Sequence, residues 1–240
     1  MVFLIATAVK SELPSVRESA PDLWRRVRRY NLPVQLALAA ADEVMRFAED
    51  TSIAAVISLA PCQPGSEDLY RWGNVVTAGM ASGSLGNLRM NPTQTLHAVD
   101  NLALSAFAIA HRNHAYCLGL GGAAGQAWCG LEAVCERFEA GEENEALLMA
   151  GDQDAAEDGA RGLGVALLFS ARARPYSSLG RTVCLRSVTR NTQRASGVVP
   201  HAANGLAAFL SAINDGCKSY AVPPEHTDGV SGVTINLEIS

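Results

Sequence analysis

The sequence predicts an α/β fold: a mixed but mainly parallel sheet, covered by helices and followed by a short C-terminal appendage. Three observations predict it. The runs VFLIATAV (Val2 to Val9), IAAVISLA (Ile53 to Ala60) and GLGVALLFS (Gly162 to Ser170) are continuously apolar, as strands are when both faces of a sheet are covered. The segment VQLALAAADEVMRFA (Val34 to Ala48) is rich in alanine, with apolar residues recurring at three and four, the pattern of a helix packed on a sheet. Strands and helices of these kinds alternate along the chain, which favours parallel strands joined by helical crossovers.

Val2 to Val9 is the first strand. A polar passage marked by proline follows, and within it DLWRRVRRYN sets four arginines beside Trp24. These read as a solvated face, or as a basic patch for an acidic carrier protein. After the alanine-rich helix and the strand Ile53 to Ala60, PCQPG breaks the pattern, Glu67 to Gly79 reads as a looser helix, and ASGSLGNLRMNP as a long loop. Thr93 to His111 is a largely apolar helix interrupted by Asp100 and Asn101, a composition suited to burial against a sheet or another subunit. AYCLGL (Ala115 to Leu120) is a short strand. A helix from about Ala124 to Ala140 stops before Gly141, and the strand EALLMAG follows. Beyond Ser170 the signals weaken: RTVCLRSV and VTINLEI read as strands and Asn204 to Ile213 as a short amphipathic helix, with Thr189 to His201 irregular between them.

A chain of 240 residues, 48% of them hydrophobic, is long enough to bury one substantial core. We read it as one domain, with a core over residues 1–170 and a tail over 171–240. A net charge of −5 argues against nucleic acid as a partner, because such binding relies on an excess of Lys and Arg. No apolar run approaches the roughly 20 residues that span a bilayer, and MVFLIATAVK has no basic leader; the expected location is cytoplasmic. The six cysteines lack CxxC spacing, and His97, His111, His114 and His201 share no helix face with carboxylates, so no metal or other cofactor is expected. GDQDAAEDGARG lacks the register of a calcium loop.

The informative stretch is GLGGAAGQAWCGLEAVCERFEAGE, Gly119 to Glu142. An apolar strand passing through a glycine-rich elbow into a helix is where a nucleophile gains most, since the helix N-terminus lowers a thiol's pKa and offers backbone donors to an oxyanion. Yet Gly121 to Gln126 holds only Gly, Ala and Gln. Cys129 lies five residues beyond Ala124, about 140° around and about 7.5 Å along a helix, and reads as packing.

The run NPTQTLHAVDNLALSAFAIAHRNHAYCLGLGGAAGQAWCGLEAVCERFEAGEENEALLMAGDQD resembles the N-terminal half of β-ketoacyl synthases, members of the thiolase-like condensing enzymes. The helix after an N-P-T turn, the short strand, the elbow, the helix ending in an acidic Gly-Glu turn and the strand closing on Gly come in the family's order. LALAAADEVMRFAED and EDGARGLGVALLFSAR extend the resemblance over about residues 1 to 170. It implies a thiolase-like fold and places the family's nucleophilic cysteine at Ala124. The chain is similar to a shorter branch, the β-ketoacyl synthase-like N-terminal domain proteins of aryl polyene and xanthomonadin-type pigment pathways, which resemble chain-length factors.

The resemblance implies a non-catalytic subunit that forms a heterodimer with an active β-ketoacyl-carrier-protein synthase, helps shape its acyl tunnel and meets acyl carrier protein through the complex. It further implies that Ala115, Tyr116, Cys117 and Leu118 form a strand edge at the partner interface, with Leu96, Leu102 and Phe107 beside it, and that Met90 or Leu96 reaches toward the tunnel. Two other readings stand beside it: a self-associating acyl-binding or scaffolding homodimer, and a compact acyltransferase or hydrolase using Cys117 or Cys129 with His114 or His201.

Overall fold

A computed structural model describes residues 1–11, 25, 27, 28, 30, 32–59, 100–121, 126–153, 162–174, 178–191, 202–222 and 232–240. The looser helix and the long loop expected between 67 and 92, and the first residues of the helix expected from Thr93, lie outside them. In chain order the elements are β1 (Val2–Lys10), α1 (Leu32–Val44), β2 (Ala54–Leu59), α2 (Asp100–His111), β3 (Cys117–Gly121), α3 (Gln126–Glu139), β4 (Glu145–Gln153), β5 (Gly162–Ser170), β6 (Val183–Asn191), α4 (Ala202–Asn214), β7 (Ser219–Val222) and β8 (Gly232–Ile239). The strands form one sheet in the order β3-β2-β4-β5-β1-β6-β8-β7.

The sheet is mixed, as expected, and its parallel part is confined to β3-β2-β4. The pairings from β4 through to β7 are antiparallel. Connection length decides this. Helical crossovers bring β3 and β4 alongside β2, whereas the link 154–161 between β4 and β5 is too short for a parallel return.

Helices cover both faces. α1 and α2 close one core with Ile5, Ile57, Leu147 and Leu168; α3 and α4 close the other with Leu4, Val56, Leu148 and Phe169. The alanines of α1 let its backbone come close to the sheet, and glycines on the strands meet it. A Cβ built at Gly164 would lie 2.1 Å from the Leu36 carbonyl carbon and 2.5 Å from the Ala37 nitrogen. Gly164→Ala should therefore lift α1 from the sheet and cost about 3 kcal/mol by overpacking, read as a lower urea midpoint; an unchanged midpoint would refute this close approach.

The segment after Ser170, read from sequence as an appendage, is built into the same sheet. β6 joins β1 through Val2↔Leu185, Phe3↔Cys184 and Leu4↔Val183. Counted outward from that pair, β1, β5, β4 in one direction match β6, β8, β7 in the other, and α3 precedes β4 as α4 precedes β7. Leu206, Phe209 and Ile213 of α4 belong to the same core as β4 and β5. The other face of β6 and β8 is polar: Asn236 donates to Ser187 Oγ at 3.0 Å, and Arg186 pairs with Glu238.

Candidate functional site

The parallel strands end together at Gly121 (β3), Leu59 (β2) and Gln153 (β4), and in open α/β sheets the ligand crevice lies outside the carboxyl ends of such strands. β3 stops at Gly121 and α3 starts at Gln126, so the strand-to-helix passage predicted from sequence stands on both its flanks. Ala124 falls between them, outside the described residues.

α3 lies close on the strands because it carries Gly130, whose built Cβ would meet Leu148, Val56 and Leu120 at 2.9–3.1 Å. Its own Ala127, Trp128, Leu131 and Val134 are buried in the core between helix and sheet. Its far end closes in a Schellman turn: Gly141 has φ +71°, Gly141 N–H donates to Phe138 O and Glu142 N–H to Arg137 O.

A contact that sequence reasoning missed ties α4 to the same end of the sheet. The carboxylate Oδ2 of Asp152, buried on β4, accepts the backbone N–H of Asn204 at 2.9 Å and its side-chain amide at 3.1 Å. It caps the first turn of α4 from another element, a favourable place for negative charge. Trp128 of α3 then packs edge-on against Phe209 of α4, ring centroids 5.8 Å apart, and lies 5.8 Å from Tyr220 of β7.

The thiols near this region are poorly placed for nucleophilic work. Cys135 is pushed up to about 12, first by burial and then by the neighbouring Glu139 carboxylate, with Glu132 and Glu136 adding to it; at neutral pH it stays protonated. Partial burial raises the Cys117 thiol as well, offset in part by the amide of Asn113, which donates to its sulfur at 3.6 Å. Cys129 is half-buried on α3. His114 is exposed and its N–H donates to Ser52 Oγ, while the His111 ring faces Asp42 at 3.7 Å and the ring of Phe107. His97 and His201 lie outside the described residues. Among the described residues no three His, Cys, Asp or Glu side chains are grouped to hold a metal ion, and no helix is long and apolar enough to cross a membrane.

The expected interface residues divide. Among the described residues β3 is an outermost strand, hydrogen-bonded to β2 on one side. Ala55 N–H donates to Tyr116 O at 2.9 Å. Since alternate residues of a parallel strand bond to opposite sides, Leu118 directs its backbone groups to β2, while Cys117 and Gly119 direct theirs to the open edge. Tyr116 is 39% exposed beside that edge, with the Arg137 guanidinium 3.9 Å above its ring and held in turn by Glu142 and Glu143. Ala115 and Leu118 are half-buried. α2 packs over β3 and β2, and Phe107, 1% exposed, is spent on the chain's own core; among the residues of that helix whose burial is described, the exposed large apolar one is Ile109, at 70%. Leu102 lies on α2, and Met90 and Leu96 are outside the described residues.

At the opposite end of the parallel strands a polar cleft of about 530 Å³ is bordered by Glu49, Asp50, Glu143, Glu145, Arg172 and Arg174. Two of these, Glu145 and Arg174, form a buried ion pair.

No family profile and no curated protein matches the sequence. Solved structures do. A structure of the ketosynthase ApeO in complex with its chain length factor ApeC, from Xenorhabdus doucetiae, is similar over 98% of this chain and 99% of that one, with TM-score 0.60 and 13% identity. AntDE:AntF, a type II acyl-carrier protein in complex with its ketosynthase, is similar over 89% of this chain and 74% of that one, with TM-score 0.54 and 11% identity. The ishigamide ketosynthase/chain length factor is similar over 74% of this chain and 52% of that one, with TM-score 0.51 and 17% identity. The fold is the thiolase-like fold of ketosynthases.

Proposed function

We propose that this chain is a non-catalytic, chain-length-factor-like subunit that pairs with an active β-ketoacyl-carrier-protein synthase and helps shape the tunnel for its acyl chain, in type II polyketide or fatty-acid-like biosynthesis of the aryl polyene kind. One observation carries the reading: a ketosynthase fold in which no thiol or hydroxyl stands between Gly121 and Gln126, the passage from β3 to α3. Without an attacking thiolate at that turn no acyl-enzyme forms by the route this fold serves. The partner carries the chemistry: its cysteine takes the acyl group from the carrier protein, and a decarboxylated malonyl unit attacks that thioester. The open edge of β3, with Tyr116 and Ile109 beside it, is the surface we assign to the partner; Leu96 and Leu102 extend it, and Met90 or Leu96 reaches the tunnel.

The test is a condensation assay with acyl- and malonyl-carrier protein. The purified chain alone should give no turnover, and co-expression with a ketosynthase should give a stable complex that turns over. Condensation by the single chain, lost on replacing one of its cysteines, would overturn the proposal in favour of a cysteine-dependent acyltransferase. A stable homodimer indifferent to any ketosynthase would favour a scaffold.

A further inference from the structure

We infer that Ser58 marks a binding site for a neutral carbonyl group, at the carboxyl end of β2 beneath the first turn of α3; the inference deepens the reading above by assigning this chain itself a contact with the acyl chain. Ser58 is 1% exposed, and its Oγ has no hydrogen-bond partner among the described residues. A buried hydroxyl left unbonded costs free energy that alanine would not. The side chains beside it in register are apolar, Leu120 on β3 and Ala150 on β4, and Ala54 and Val56, on the same face of β2, belong to the apolar core under α3 and α4.

The position gives the hydroxyl a use. Gly130 of α3 sits over Val56, Leu120 and Leu148. A crossover helix runs antiparallel to its strands, so one turn nearer its start α3 covers the next position along β2, which is Ser58. The first turn of a helix carries N–H groups without intrahelical acceptors. Hydroxyl and helix start thus fall at the same end of the sheet, both as donors.

Charge selects the ligand class. Asp152 follows Ala150 by two positions on the same face of β4, and its buried carboxylate already occupies the start of α4 through Asn204. A carboxylate or phosphate would carry its charge into this apolar core beside an acidic side chain, whereas the carbonyl oxygen of a thioester or amide accepts from Ser58 without adding charge.

The experiment is calorimetric titration of the full chain, wild type and Ser58→Ala, with S-octanoyl-N-acetylcysteamine, N-acetylcysteamine and octanoate, alongside thermal melts. The thioester should bind wild type at least tenfold more tightly than octanoate. Ser58→Ala should weaken the thioester roughly fivefold, one hydrogen bond's worth, and melt at the same or a higher temperature. Equal affinity for N-acetylcysteamine alone and for the thioester would assign the carbonyl to the amide; weak binding of it assigns the acyl carbonyl. The inference fails if wild type binds neither neutral probe, if Ser58→Ala binds as well as wild type, if octanoate matches the thioester, or if the variant melts lower. Because the titration uses the single chain, thioester binding that survives while no ketosynthase complex forms would sink the partner reading and leave this site standing.

Discussion

Arg174→Ala should remove about 3–5 kcal/mol of stability, the range for stripping one partner from a buried ion pair. Glu145 opens β4 at 4% exposure. Its Oε2 accepts the backbone N–H groups of Glu49 and Asp50 at 2.9 and 3.0 Å, and its Oε1 meets Arg174. Arg174 also donates to the Phe47 carbonyl at 2.7 Å and lies 3.4 Å from Glu49. The two side chains thus pin the turn after α1, the start of β4 and the chain after β5 together. Alanine at 174 leaves a carboxylate buried without its cation, a large part of a typical domain's total stability. Arg174→Met combined with Glu145→Leu removes both charges and should cost less than the single change. Urea denaturation of the three proteins decides it: a single variant within about 1 kcal/mol of wild type, or a double variant worse than the single, would show that the pair does not hold this end of the sheet.

Cys117→Pro should abolish co-purification with a ketosynthase while leaving the chain folded. Proline is tolerated at the first residue of a strand and where the lost N–H faces outward, and Cys117 meets both conditions on β3. Its ring and missing donor block an incoming strand, a loss of two or more hydrogen bonds and their packing, on the order of a hundredfold in affinity. Leu118→Pro should also prevent association, but by breaking the ladder to β2, so it should lower the melting temperature where Cys117→Pro does not. Ile109→Glu, on the exposed face of α2, should weaken the complex without a change in melting. Retention of the complex by both Cys117→Pro and Ile109→Glu would put the interface elsewhere.

What could be read from the sequence follows from how local each signal is. α1, β2 and β5 are legible because alanine spacing and uninterrupted apolar runs are properties of a few adjacent residues. β6 and β8 carry alternating patterns, LRSVTR and TINLE, with one polar face, and their place in the main sheet depends on pairing with β1, which no local pattern encodes. β7 was not anticipated, since a four-residue strand acquires its identity from β8. At the site, the strand and helix flanking Ala124 were readable from order and glycine content. The cap that Asp152 gives Asn204 spans 52 residues, so rules for neighbouring residues do not find it. Phe107 shows the remaining ambiguity: an apolar helical residue looks the same in sequence whether its own core or a partner covers it.

The position of β1 has a consequence for how the protein is made. Phe3 pairs with Ser170 on one side and Cys184 on the other, so the strand synthesised early waits for more than two-thirds of the chain to leave the ribosome before either neighbour exists. Contacts so distant in sequence close slowly, and until they close an apolar strand remains unpaired on both edges, the condition in which nascent chains aggregate. Slower translation, lower temperature or a chaperone that shields residues 2–10 should therefore improve the yield of this protein more than any change to its surface.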